Sequence, residues 1–153
     1  MVDRLNILVI DDDEDDFVVT RDILWDVCGD AVEVDWVSSY AAGLAAVRES
    51  RHDACLLDYH LGAKTGVDLM TELGDVTSRI PIILMTGSDE ASVDLAAMNA
   101  GAADYLVKGR AEPALVERSV RYAIARVHAE QQRRLASVVE FAHDAIIQVG
   151  ADG

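Results

Sequence analysis

Side chains able to do chemistry recur in this chain at one kind of place, directly after a short apolar run: Asp11-Asp12-Asp13, then Asp58, then Thr86-Gly87-Ser88, then Lys108. In an open parallel sheet, ligands collect at the carboxyl ends of the strands, so all four clusters would share one edge. Carboxylates gathered there repel one another unless a divalent cation joins them, and hard oxygen ligands with room for water point to Mg²⁺. An ammonium and a hydroxyl on the same edge add donors for an anion. Together these groups describe a site for a phosphoryl group whose charge is neutralised during transfer. Lys108 carries extra weight, because the chain has eleven arginines and only two lysines, Lys64 and Lys108. A compact ammonium on a flexible stem suits a crowded phosphoryl site.

Positioning such a set requires repeated strand–helix units. Strands are expected at Leu5–Ile10, Val32–Val37, Ala54–Leu57, Ile80–Met85 and Ala103–Val107, all but the second without clean alternation, as when helices cover both faces of a strand. The second alternates, which suits a sheet edge. Helices are expected at Asp15–Cys28, Tyr40–Glu49, Val67–Leu73 and Asp89–Ala100, the last capped by Ser88 or Asp89 and stopped by Gly101. A longer helix runs from Glu112 to about Arg134, with Leu115, Val116, Val120, Ala123, Ile124 and Val127 packing back on the sheet. Beyond Val127 the sequence turns polar on every side, so the helix leaves the globule as a connector. A strand is expected at Ala145–Val149.

The chain has 153 residues, 51% of them hydrophobic, enough to bury a core and to set disorder aside. Its net charge of −15 makes nucleic acid or an anionic membrane a poor partner. The excess lies in residues 1–109, with 22 acids against 7 basic residues, whereas residues 110–153 hold six of each. Cys28 and Cys55 sit among apolar neighbours and read as reduced thiols. No signal peptide opens the chain and no apolar run is long enough to span a bilayer, so a cytoplasmic protein is expected.

The motifs Ile-Asp-Asp-Asp, Leu-Leu-Asp-Tyr-His-Leu-Gly followed by Gly66, Ile-Leu-Met-Thr-Gly, and Gly-Ala-Ala-Asp-Tyr-Leu-Val-Lys stand in one order and spacing. By these the chain resembles the receiver domain of two-component response regulators across residues 4–128. The resemblance implies a flavodoxin-like, doubly wound α/β fold of five parallel strands in the order 2-1-3-4-5 flanked by five helices. It makes Asp58 the phosphoacceptor, Asp12 a direct Mg²⁺ ligand and Asp11 a ligand acting mainly through water, with the His60 backbone carbonyl completing the metal set. Thr86 and Lys108 would hold phosphoryl oxygens, and Tyr105 would be the switch aromatic. His60 and Ser88 would tune the phosphoryl lifetime.

The implied partners are a sensor histidine kinase or phosphotransfer protein, an output domain beyond the connector, and a second copy in a homodimer. Two positions depart from the family: Gly109 stands where proline usually follows the lysine, and Gly62 stands where proline usually lies four residues after the phosphoacceptor. Residues 135–153 resemble, more faintly, the opening of a PAS domain, so residues 129–153 are expected to be a connector and the start of a truncated second domain.

Three rivals are weighed. A haloacid-dehalogenase-type phosphatase would use Asp11 as nucleophile and Asp13 as acid and base, but no acidic pair follows Lys108 and Asp58 would have no role. A flavodoxin-like cofactor binder needs Gly, Ser and Thr in a loop that is acidic here. A receiver-shaped interaction module that is never phosphorylated would not need the full set of acids, Thr86 and Lys108. The acids at 13–16 read as a solvated helix start favoured by its dipole. An EF-hand is discarded, because Asp16 and Asp22 stand where glycine and glutamate are required. His52, His128 and His143 lack metal or phosphoacceptor spacing, and Trp25 and Trp36 read as packing.

Overall fold

The computed structural model describes residues 4–49, 51–87 and 91–152. Five strands, β1 (Leu5–Ile10), β2 (Val32–Val37), β3 (Ala54–Asp58), β4 (Ile82–Thr86) and β5 (Asp104–Val107), form one sheet in the order β2-β1-β3-β4-β5, all parallel. Helices α1 (Glu14–Cys28), α2 (Tyr40–Arg48), α3 (Gly66–Leu73), α4 (Ala91–Asn99) and α5 (Pro113–Asp152) alternate with them. This is the expected doubly wound architecture, with β2 at an edge.

Alternation along each strand divides the core in two. Leu8, Ile10, Cys55, Leu57, Ile82 and Leu84 face α2, α3 and α4. Ile7, Val9, Ala54, Leu56, Ile83 and Met85 face α1 and α5. Every residue of β3 and β4 is buried, as their unbroken apolar runs require. Of the apolar positions expected to tie α5 to the sheet, Val116, Val120, Ala123 and Val127 are buried and Ile124 is partly so, whereas Leu115 is exposed.

Two elements differ from expectation. A short hairpin, His60–Leu61 paired with Lys64–Thr65, fills the loop after β3. The strand expected at Ala145–Val149 is helix instead, because α5 continues unbroken for 40 residues to Asp152. Ile146, Ile147 and Val149 made a strand plausible by propensity. That preference is weak beside the low cost of extending a helix already nucleated, and neither Pro nor Gly interrupts it between Pro113 and Gly150. The opening strand of a PAS domain is therefore absent from this segment. The caps proposed at Ser88 and Asp89 lie outside the described residues.

Candidate functional site

The site is built at the carboxyl edge of β1, β3, β4 and β5. Asp11 prolongs the β1–β2 ladder by donating its N–H to the Val37 carbonyl at 3.2 Å. Its own carbonyl accepts the Trp36 indole N–H at 2.8 Å. The Trp36 ring in turn stacks on Phe17 of α1, 4.8 Å between centroids and 5° from coplanar. The Asp11 backbone is thus fixed from the edge strand, and Trp36, read from the sequence as packing, also serves the site.

The acidic run after β1 divides its labour. Asp11 is buried, with Oδ1 accepting the Asp13 N–H at 3.0 Å. Asp12 is exposed and accepts the Gly62 N–H at 3.1 Å, which ties β1 to the hairpin. Asp13 caps α1 by accepting the N–H groups of Asp15 and Asp16. Asp58 ends β3 and is 7% exposed. Behind it, Tyr59 N–H donates to the Met85 carbonyl at 2.8 Å and Gly66 N–H to the Tyr59 carbonyl at 2.7 Å. Lys108 leaves β5 with its N–H bonded to the Thr86 carbonyl at 2.7 Å.

The Lys108 ammonium joins these parts. Nζ lies 2.9 Å from Asp11 Oδ2, 2.9 Å from Asp16 Oδ2 and 3.0 Å from Asp58 Oδ1. Asp16 is the residue that sequence reasoning missed, having placed it among solvated helix-start acids. The available signal was the cap: with Asp13 as N-cap, Asp16 takes the third helical position, and only that start decides which acid of the run faces the lysine.

Burial pushes the Asp58 carboxyl up to about 6, with the Lys108 charge and hydrogen bond opposing and Asp11 reinforcing the rise. For Lys108, burial acts downward, but hydrogen bonds to Asp11, Asp16 and Asp58 outweigh it and the net shift is upward. Carboxylate oxygens of Asp11, Asp12 and Asp58 all lie within 4.8 Å of one another, a spacing that one hard cation could span. An all-oxygen trio with two buried members and one open to water fits a divalent ion that keeps part of its hydration.

The remaining expected residues are placed as follows. Thr86 is buried at the end of β4. Tyr105 pairs with Leu84 across β4 and β5, two residues before Thr86, so Tyr105 and Thr86 share a sheet face. Tyr105 is half-buried there. The His60 side chain is exposed on the hairpin with its ring edge-on to Tyr59. Ser88 lies outside the described residues. Gly62 and Gly109 have φ of +66° and +81°, values that a proline ring cannot adopt, and no cis peptide bond occurs among the described residues.

Sheet order and edge chemistry define the class, a CheY-like domain of the flavodoxin-like fold. The chain belongs to the response regulator receiver domain family, whose pattern it matches over residues 7–119. It is 31% identical over 105 residues to the transcriptional regulatory protein ZraR of Salmonella typhimurium, an alignment covering 69% of this chain and 23% of ZraR. The chain thus spans about a quarter of the length of that relative.

Among solved structures, a receiver domain protein from Methanospirillum hungatei superposes with a TM-score of 0.72 at 24% identity, over 83% of this chain and 98% of that one. A response regulator from Chloroflexus aurantiacus gives 0.69 at 28% identity, over 80% and 98%. Membership of this family displaces the phosphatase and flavodoxin-like alternatives.

Proposed function

We propose that this chain accepts a phosphoryl group on Asp58 and passes the resulting change of shape to an output domain. The observation carrying the proposal is the convergence on one edge of the Asp11, Asp12 and Asp58 carboxylates, with the Lys108 ammonium 3.0 Å from Asp58. An Asp58 oxygen attacks phosphorus in line with the leaving group of a phosphohistidine. The P–O bond forms as the P–N bond breaks, and the electron pair stays on the imidazole nitrogen, which then takes a proton from water. Little covalent work is required of the protein beyond positioning and charge neutralisation.

The Asp11, Asp12 and Asp58 carboxylates, with the His60 carbonyl, would hold Mg²⁺, which supplies charge neutralisation on the phosphoryl oxygens when bound. Lys108 pairs with one phosphoryl oxygen and the Thr86 hydroxyl with another. Tyr105, on the same face of the adjacent strand, turns into the space that Thr86 leaves, biasing the β4–β5 face between two states. His60 and Ser88, each two residues beyond a site residue, tune the phosphoryl lifetime. The domain is self-modifying and is not an enzyme acting on other molecules.

Residues 4–128 form the receiver unit and residues 129–152 the connector to an output domain. The partners are a sensor histidine kinase or phosphotransfer protein, that output domain, and a second copy of the chain. Among the described residues no helix is long and apolar enough to cross a membrane. The test is acetyl phosphate or beryllofluoride with Mg²⁺. Each modifies or perturbs the parent chain and leaves Asp58→Asn unchanged, whereas an equal response from that variant refutes the assignment.

A further inference from the structure

A lysine ammonium has three N–H donors, and Lys108 spends one on each of three carboxylates. Two of these partners, Asp11 and Asp58, belong to the cation-holding trio, and the third, Asp16, does not. Asp16 stands on the first turn of α1, its side chain 49% exposed. Its backbone is fixed at both ends of the residue: the N–H donates to Asp13 Oδ1 at 3.2 Å, and the carbonyl accepts the Thr20 hydroxyl at 3.1 Å. The tether on Lys108 is therefore anchored in α1, outside the cation-holding trio.

We infer that Asp16 is a positioning residue that competes with the phosphoryl group for Lys108. The inference rests on Asp58 being the phosphoacceptor. Asp16 Oδ2 and Asp58 Oδ1 both lie within 3.0 Å of one nitrogen, so these oxygens stand no more than about 6 Å apart. A phosphoryl group on Asp58 brings about two negative charges and strong acceptor oxygens into that space. To pair with them, the ammonium has to loosen its hold on Asp16, and the Asp16 charge repels the incoming group throughout. Asp16 thus favours the unphosphorylated state and shortens the life of the phosphorylated one. The carboxylate acts by holding Lys108 and by its own charge, and it is not a member of the cation-holding trio.

The test compares the parent chain with Asp16→Asn, Asp16→Glu and Asp58→Asn at saturating Mg²⁺. Beryllofluoride binding is followed by amide NMR shifts and acetyl phosphate modification by intact mass. Asp16→Asn should bind beryllofluoride about fivefold more tightly and lose its phosphoryl group more slowly, with the advantage shrinking at high salt. Asp16→Glu should return toward the parent. Binding by Asp16→Asn that is equal to or weaker than the parent's overturns the inference, provided its amide spectrum shows a folded chain. Failure of the parent itself to respond, or a response from Asp58→Asn, refutes the phosphoacceptor assignment instead. The two failures are read from different samples.

Discussion

A methyl group added at Gly66 would stand 2.6 Å from the carbonyl oxygen of Asp58. It would also meet Leu84 at 2.9 Å and Leu57 at 3.1 Å. Backbone and packed core lie on the far side of those contacts, so neither can yield cheaply. The start of α3 is therefore pressed directly against the strand end that carries the candidate nucleophile.

Gly66→Ala is expected to destabilise the fold by about 1–3 kcal/mol and to displace Asp58 from Lys108. Thermal unfolding reads the first effect and acetyl phosphate labelling the second. Unchanged melting together with unchanged labelling would show that α3 can shift freely.

Gly109 offers a different kind of test, since its φ is +81° and open space surrounds a notional Cβ. Gly109→Ala carries only the backbone cost, about 1 kcal/mol, whereas Gly109→Pro cannot adopt the observed φ at all. The proline variant should lose more stability than the alanine variant and shift the amide resonances of Lys108 and its neighbours. Equal stability of the two variants would mean that the loop accommodates the proline ring by rearranging.

Stability should depend on pH in an unusual sense when divalent ions are chelated. The Asp58 carboxyl is raised by burial from 3.8 to about 6 in the folded chain, so the folded state holds its proton where the unfolded state has lost it. Below about pH 4 both states are protonated and the site costs nothing. As pH rises through 6, the buried charge forms and this group's contribution to stability falls. Asp58→Asn should therefore melt several degrees above the parent at pH 7.5 in EDTA, and the difference should vanish near pH 4. Added Mg²⁺ should raise the parent's melting temperature more at pH 7.5 than at pH 5. A constant difference across this range would place the titration elsewhere.

At the root of α5, the buried Ser119 hydroxyl donates to the Asp104 carboxylate on β5, and Arg126 donates to the Ala103 carbonyl at 3.1 Å. These bonds hold α5 to β5, which carries Tyr105, and to the residue just before that strand. Ser119→Ala should cost about 1–2 kcal/mol, because Asp104 Oδ2 loses its hydroxyl partner while Oδ1 keeps the Tyr105 N–H. It should also weaken the response of α5 amides to beryllofluoride while leaving binding at Asp58 intact. Undiminished transmission to α5 would show that the Ser119–Asp104 bond is not what couples the helix to the strand.

How much of this was legible in the sequence follows from the range of the forces involved. The strands were readable because continuous burial leaves a local apolar signature, and β1 and β2 match their expected bounds to the residue. Asp58, Thr86 and Lys108 were readable because each ends such a run. The hairpin at His60–Thr65 was missed because two-residue strands leave no periodicity. Asp16 was missed because its role depends on where α1 begins, and that is set by the Asp13 cap. The helical fate of Ala145–Val149 was missed because β-branched residues speak locally for strand while cooperativity acts from the helix already formed upstream. The contact between Gly66 and Asp58 is one of tertiary distance, for which a glycine in the sequence gives only a hint.

The long α5 has a mechanical consequence. Among the residues whose burial is described, Val127 is the last buried one of α5, residues 128–137 have exposed side chains, and the helix continues to Asp152. At 1.5 Å per residue, the 25 helical residues after Val127 extend roughly 38 Å. A rod of that length pivoting at its root converts a tilt of 10° into a displacement of roughly 6–7 Å at its tip, more than one helical turn. A change too small to see among the strands, of the size that one hydroxyl and one aromatic ring can produce, becomes a stroke comparable to the width of a side chain. On the proposed function, a phosphoryl group on Asp58 would enter as a small shift at the sheet, and the length of α5 would set how far that shift is carried.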